Sequence, residues 1–165
     1  MYIKDIDSMR IQINELQKQL ENSTNFISNV HQLNWSTAKM TYSRYPKQAR
    51  LLSEIMSMKE GEIKWKIGGF DPNTGFDSPS FAVYMINKYS NTDIKGKNRY
   101  QLINIMRRID KPDIGDVIFY EWGYTMFYFK DESNRPYCIG MTPAGIIALN
   151  INFGPKILGY GEIEY

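Results

Sequence analysis

The change of texture at Asp110 constrains the fold of this chain more than any other feature. Before it, apolar residues recur at helical spacings; after it, they fall in short runs divided by turn residues. Helices first and strands after imply an α+β domain, with helices packed on a C-terminal antiparallel sheet or small barrel. Strands are placed near 116–122, 124–130, 136–141, 145–150 and 157–164. Gly123, the cluster from Asp131 to Asn134, the stretch from Thr142 to Gly145, and Gly154-Pro155 separate them. Twelve Tyr and eight Phe supply core material that favours strands.

The helical part has four expected helices. Residues 1–33 carry an amphipathic heptad seam of Ile6, Met9, Ile13, Leu16, Leu20, Ser23, Ile27 and Val30, with neither Pro nor Gly before residue 46. A long, coiled-coil-like helix is the expectation, and its stripe either packs on the chain's own domain or meets a second copy or a partner protein through the 6–30 seam. Residues 34–45 lose the heptad and read as a connector. From residue 46 to 165 a single domain follows. Pro46 suits a helix's first turn, Leu51, Leu52, Ile55 and Met56 give that helix an apolar face, and Gly61 ends it. Ser78-Pro79 reads as an N-cap and first-turn pair opening a helix to about Tyr89, with Phe81, Met85 and Ile86 as its buried stripe. A shorter helix is expected from Arg99 to Arg108.

Charge and thiol content narrow the partners. The chain has 20 basic and 18 acidic residues, a net charge of +2, too little for a polyelectrolyte footprint, so nucleic acid is not an expected partner. No apolar stretch approaches a membrane span, and the first twenty residues mix charges among apolar positions, unlike a secretory leader. The single Cys138 excludes a disulfide within the chain, and its apolar neighbours Tyr137 and Ile139 mark it as a buried structural thiol. There is no phosphate loop of the Walker kind and no Cys or His pair at metal-ligand spacing, so no cofactor and no metal are expected. Asp71, Asp77, Asp113 and Asp116 fall in turns, where carboxylates cap or solvate. The aromatic cluster of Tyr120, Trp122, Tyr124, Phe127, Tyr128 and Phe129 reads as half core and half surface, with stacking of sugars or bases as the alternative.

Three blocks together resemble a known family. The run Trp65-Lys66-Ile67-Gly68-Gly69-Phe70-Asp71-Pro72-Asn73-Thr74-Gly75-Phe76-Asp77-Ser78-Pro79-Ser80-Phe81 is similar to the signature of NlpC-type papain-like cell-wall peptidases, where Tyr-x-Trp-Gly-Gly leads to Asp-Cys-Ser-Gly-Phe. Further on, Lys111-Pro112-Asp113-Ile114-Gly115-Asp116-Val117-Ile118-Phe119-Tyr120 resembles the family's Pro-Gly-Asp-Leu-Val-Phe-Phe strand. Gly123-Tyr124-Thr125-Met126-Phe127-Tyr128 lies where the family has Gly-His-Val-Gly-Ile-Tyr. The order and spacing agree over roughly residues 47–150.

The resemblance implies a papain-like domain and a site that departs from the family pattern. Such a peptidase needs a thiolate at a helix N-terminus and a histidine to take its proton. Here Ser78 holds the nucleophile position, Tyr124 the histidine position, and Ala148 the third, orienting position. The chain's one histidine, His31, reads as a polar position flanking the heptad seam, and Ser78 has an ordinary role as a helix cap. An engineered replacement of a cysteine at Ser78 would have left its histidine in place, which argues against that origin.

The expectation is therefore an inactive relative with no catalytic residue, serving as a structural or binding protein. NlpC-type domains of bacteriophage tails suggest a virion part, with the bacterial cytoplasm as the other location. The alternative is a peptidoglycan peptide hydrolase or amidase acting through Ser78, or a module that contacts cell-wall peptide or glycan.

Overall fold

A computed structural model describes residues 8–15, 45–59, 63–92, 94, 102–103, 107–131 and 134–165. Helix α1 spans Pro46–Lys59 and turns Leu51, Leu52 and Ile55 into the core with no exposed surface. The proline stands at its first position, where a missing N–H costs nothing. The end expected at Gly61 lies outside the described residues.

A short hairpin follows: β1, Phe70–Asp71, pairs antiparallel with β2, Gly75–Phe76. Its turn is made by Asp71, whose Oδ1 accepts the N–H groups of Asn73 at 2.9 Å and Thr74 at 3.0 Å. These bonds hold the Asp71 carboxyl below the usual aspartate range. Helix α2 spans Ser78–Tyr89 and buries Phe81, Ala82, Val83, Met85 and Ile86.

The remaining strands are β3 (Arg107–Ile109), β4 (Val117–Tyr120), β5 (Thr125–Lys130), β6 (Pro136–Thr142), β7 (Gly145–Asn150) and β8 (Ile157–Glu162). They form one antiparallel sheet in the order β3-β8-β4-β5-β6-β7. The α+β class and the five expected strands are thus present. The expected helix at 99–108 is corrected at its end: Arg107–Ile109 is an edge strand, because it finds a partner in β8, with Ile109 opposite Tyr160. Only residues 102–103 in that stretch are described as helical.

The two faces of the sheet alternate with the period of two that strands impose. One face carries Phe127, Phe129, Ile139, Met141, Ile146 and Ala148 and packs against Leu51, Ile55, Phe81 and Met85 of the helices. The other carries Tyr124, Met126, Tyr128, Cys138, Ile147 and Leu149, covered by Ile151 and Phe153 from the β7–β8 connection. The aromatic cluster is corrected accordingly. All its members but Trp122 are buried, since both faces are covered rather than one. Each such ring contributes roughly 1.5–3 kcal/mol of burial.

At the N-terminal end, residues 8–15 are helical, with Met9, Ile11 and Ile13 about half exposed. The other seam positions, Ile6, Leu16, Leu20, Ser23, Ile27 and Val30, lie outside the described residues, as do His31 and the connector up to residue 44. A long heptad helix is therefore not shown. No described helix is long and apolar enough to cross a membrane.

Candidate active site at the start of helix α2

Two consecutive polar residues open α2, and the structure assigns the cap to Asp77, correcting the expectation of Ser78. Asp77 has extended backbone angles and its Oδ1 accepts the Ser80 N–H at 3.0 Å, while Ser80 Oγ accepts the Asp77 N–H at 3.1 Å. This reciprocal box satisfies two donors at the helix start. Its second oxygen accepts the Gly68 N–H at 3.0 Å, tying the loop before β1 to the helix. Gly68 needs its positive φ of 70°, and a side chain at Gly69 would run into the Gly75 carbonyl. Burial raises the Asp77 carboxyl above its ordinary value against the pull of these N–H bonds.

Freed from capping, the Ser78 hydroxyl reaches across to the sheet. Its Oγ accepts the Thr125 N–H at 2.8 Å and donates to the Thr125 carbonyl at 3.2 Å. Both residues are 0% exposed, so these bonds fasten the helix N-terminus to the first residue of β5 away from solvent. Thr125 was not singled out from the sequence, because it acts through its backbone, which no side-chain motif announces.

Tyr124 is the residue next to that clasp. Its ring turns to the far face of the sheet, edge-on to Phe153 at 5.8 Å, and its carbonyl accepts the Tyr120 N–H at 2.9 Å. Burial pushes the Tyr124 phenol upward, so it stays protonated at neutral pH. The turn before it is a 3-10 segment, Glu121–Gly123, in which Trp122 holds a left-handed φ of 68°. Non-glycine residues rarely adopt that region, and such strain collects near functional sites.

Ala148 lies elsewhere. It sits on β7 opposite Ile139, which in turn faces Phe127, so it is two strands from β5 and beyond Tyr124 along it. At the usual strand spacing that is about 10 Å across the sheet. Its methyl group belongs to the helix-side core and offers no hydrogen bond. The structure thus joins Ser78 to the strand position beside Tyr124 and leaves Ala148 apart.

The other singled-out residues have structural partners. Asp113 Oδ1 accepts the Ile114 N–H at 2.7 Å, and Asp116 accepts the N–H groups of Asp113 at 2.7 Å and Ile163 at 3.2 Å. Burial pushes the Asp116 carboxyl up to about 6. Cys138 is wholly buried, which pushes its thiol up to about 12 and makes it inert as a nucleophile. Among the described residues, no three His, Cys, Asp or Glu side chains gather as metal ligands.

Comparison with known proteins gives this geometry a setting. No family model matches the chain. Over 78 residues, 46% of the chain, it is 32% identical to the gamma-DL-glutamyl hydrolase of Bacillus subtilis (strain 168), and the match spans 18% of that protein. Its fold aligns with the crystal structure of the NlpC/p60 domain of the peptidoglycan hydrolase SagA at a TM-score of 0.56 and 18% identity, covering 70% of this chain and 98% of that domain. The chain therefore has an NlpC/p60-like fold. The expectation of a non-enzyme is corrected by these matches: both proteins are hydrolases, and nothing in them speaks for an inactive relative. Neither is described as a virion part, so the phage-particle reading gains no support.

Proposed function

We propose that this chain is a hydrolase of the NlpC/p60 type that cleaves an amide in cell-wall peptide, γ-glutamyl linkages included, with Ser78 as the attacking residue. The observation that carries the reading is the clasp between the Ser78 hydroxyl and the Thr125 backbone at 2.8 and 3.2 Å. It sets a nucleophilic atom at the positive end of α2, against the strand where the NlpC-type fold brings its second functional residue. The helix end favours negative charge developing on the hydroxyl or on a carbonyl oxygen attacked there.

The reaction would form an ester between Ser78 Oγ and the substrate carbonyl carbon as the carbon–nitrogen bond breaks. The departing amine takes up a proton, and water then hydrolyses the ester. A serine hydroxyl is almost un-ionised at neutral pH, so its proton must pass to a base during attack. In the resting geometry the hydroxyl keeps that proton and donates it in a hydrogen bond to the Thr125 carbonyl, and attack requires this bond to be exchanged for one to the base and the buried hydroxyl to be uncovered by substrate. The acid limb of kcat/KM reports the pKa of that base in the free enzyme.

The test is incubation of the full chain with purified peptidoglycan, followed by mass spectrometry of the soluble fraction. Soluble fragments with new amino termini are expected, and at least ~100-fold fewer from Ser78→Ala. Equal release by Ser78→Ala would overturn the role of Ser78. Sedimentation of the protein with the wall, without release, would overturn hydrolysis in favour of a binding module.

A further inference from the structure

At the opposite end of α2 from Ser78, about 15 Å along the helix by its rise per residue, lies a cleft of about 400 Å³ lined by Lys47, Arg50, Lys88, Tyr89, Ser90, Asn91 and Tyr165. Three of these seven are cations and none of the seven carries a side-chain carboxylate, while the main-chain oxygen of Tyr165, the last residue of the sequence, is the acceptor that faces Lys47. The chain as a whole has a net charge of only +2, so this is a local concentration of charge.

Ordinary helix electrostatics account for one of the three. Lys88 stands in the last turn of α2, where the negative end of the helix favours a cation. Lys47 and Arg50 stand at the second and fifth positions of α1, whose first turn has no acidic residue. The positive end of a helix disfavours cations there, and α1 adds its own partial charge to theirs.

Aromatic rings hold two of these groups in place. The Arg50 guanidinium lies 5.8 Å from the centre of the Tyr89 ring, and the Lys88 ammonium lies 5.5 Å from the same ring while bonding Tyr84 Oη at 3.3 Å. Lys47 donates to the main-chain oxygen of Tyr165 at 3.1 Å. A guanidinium is thus oriented beside two point charges in a recess. That combination matches an oxyanion carrying more than one charge-bearing oxygen, which a guanidinium binds in a fork while the ammonium groups neutralise it.

We propose that this cleft is a phosphate-binding site separate from the Ser78 region, taking phosphate either free or as a unit of a phosphodiester polymer. It does not depend on hydrolysis at Ser78, so either reading can fail alone. Arg50 forks two phosphate oxygens, Lys47 and Lys88 close on the remainder, and Tyr89 forms the floor under both Arg50 and Lys88.

The experiment is titration calorimetry of the full chain with poly(glycerol phosphate) and, separately, with inorganic phosphate. It is repeated for the triple variant Lys47→Gln, Arg50→Gln, Lys88→Gln and for a charge-matched control, Lys64→Gln, Lys111→Gln, Lys156→Gln. Binding is expected to weaken at least ~10-fold in the first variant, to stay within about twofold in the control, and to fall as salt rises. Polymer binding with inorganic phosphate as a competitor assigns a polymer site; binding of inorganic phosphate alone assigns a free-phosphate site. Nuclear magnetic resonance of the unaltered protein supplies a measurement that does not depend on how a variant folds. The amides of Tyr89, Ser90 and Asn91 should shift on adding phosphate. Absence of binding to both ligands, equal loss in the control, or shifts that miss these amides would overturn the site.

Discussion

Asp77 and Ser78 are adjacent, polar and buried, and they divide two tasks between them. Asp77 holds the helix start and the glycine loop, which leaves the Ser78 hydroxyl to bond the sheet. Asp116, a second buried carboxyl, makes a prediction at this scale. Its pKa is raised from 3.8 to about 6, with burial the largest cause, so the folded protein holds that proton at pH values where the unfolded chain has lost it. The contribution is therefore fully present below about pH 4 and is lost as pH rises toward 6, by an order of 2–3 kcal/mol at most. Urea unfolding at pH 4 and pH 7 should show that Asp116→Asn removes this fall. An unchanged difference between the two proteins at the two pH values would contradict it. At a neighbouring buried site, Tyr120→Phe removes a 2.7 Å bond to the Ile151 carbonyl and should lower stability by about 1 kcal/mol in the same measurement.

Among the elements, α2 positions the site, and its cap is the point at which to weaken it. Asp77→Ala breaks the capping box and the Gly68 bond and should cost about 1–2 kcal/mol by chemical denaturation. It should also speed hydrogen exchange of the Ser80 amide, whereas a change spread evenly over the fold would argue against a local cap. The extent of α2 was legible because Ser78-Pro79 and the spacing of Phe81, Met85 and Ile86 are local signals. Which residue caps it was not, since two cap-type residues stand side by side. What decides between them is a partner for Ser78 that lies 47 residues away. The same reason explains β3. Arg107–Ile109 continues a helical-looking stretch and becomes a strand only because β8, some fifty residues on, supplies its ladder. Strands β4 to β8 carried their own turn residues and were readable within a few positions. Ala148, which the family resemblance puts at the third site position, stands level with Phe127 two strands from β5, a register that no local sequence pattern fixes.

For the molecule as a whole, one sheet separates two cores, and the helix-side core carries the site's alignment. Phe81 of α2 meets Phe76 edge-on at 5.6 Å, and Phe129 of β5 stacks on Tyr137 at 5.7 Å, so α2 and β5 are each anchored by aromatic packing on either side of the Ser78 clasp. Phe81→Ala should cost about 3–5 kcal/mol in urea unfolding. The most direct measurement of the central claim is turnover of a cell-wall stem peptide by three proteins side by side: the unaltered chain, Ser78→Ala and Ser78→Cys. The account predicts cleavage by the unaltered chain, its loss in Ser78→Ala, and its retention or increase in Ser78→Cys, where a thiol ionises more readily at the same helix end. Cleavage that ignores both substitutions, or a stem peptide left intact by all three, would contradict it.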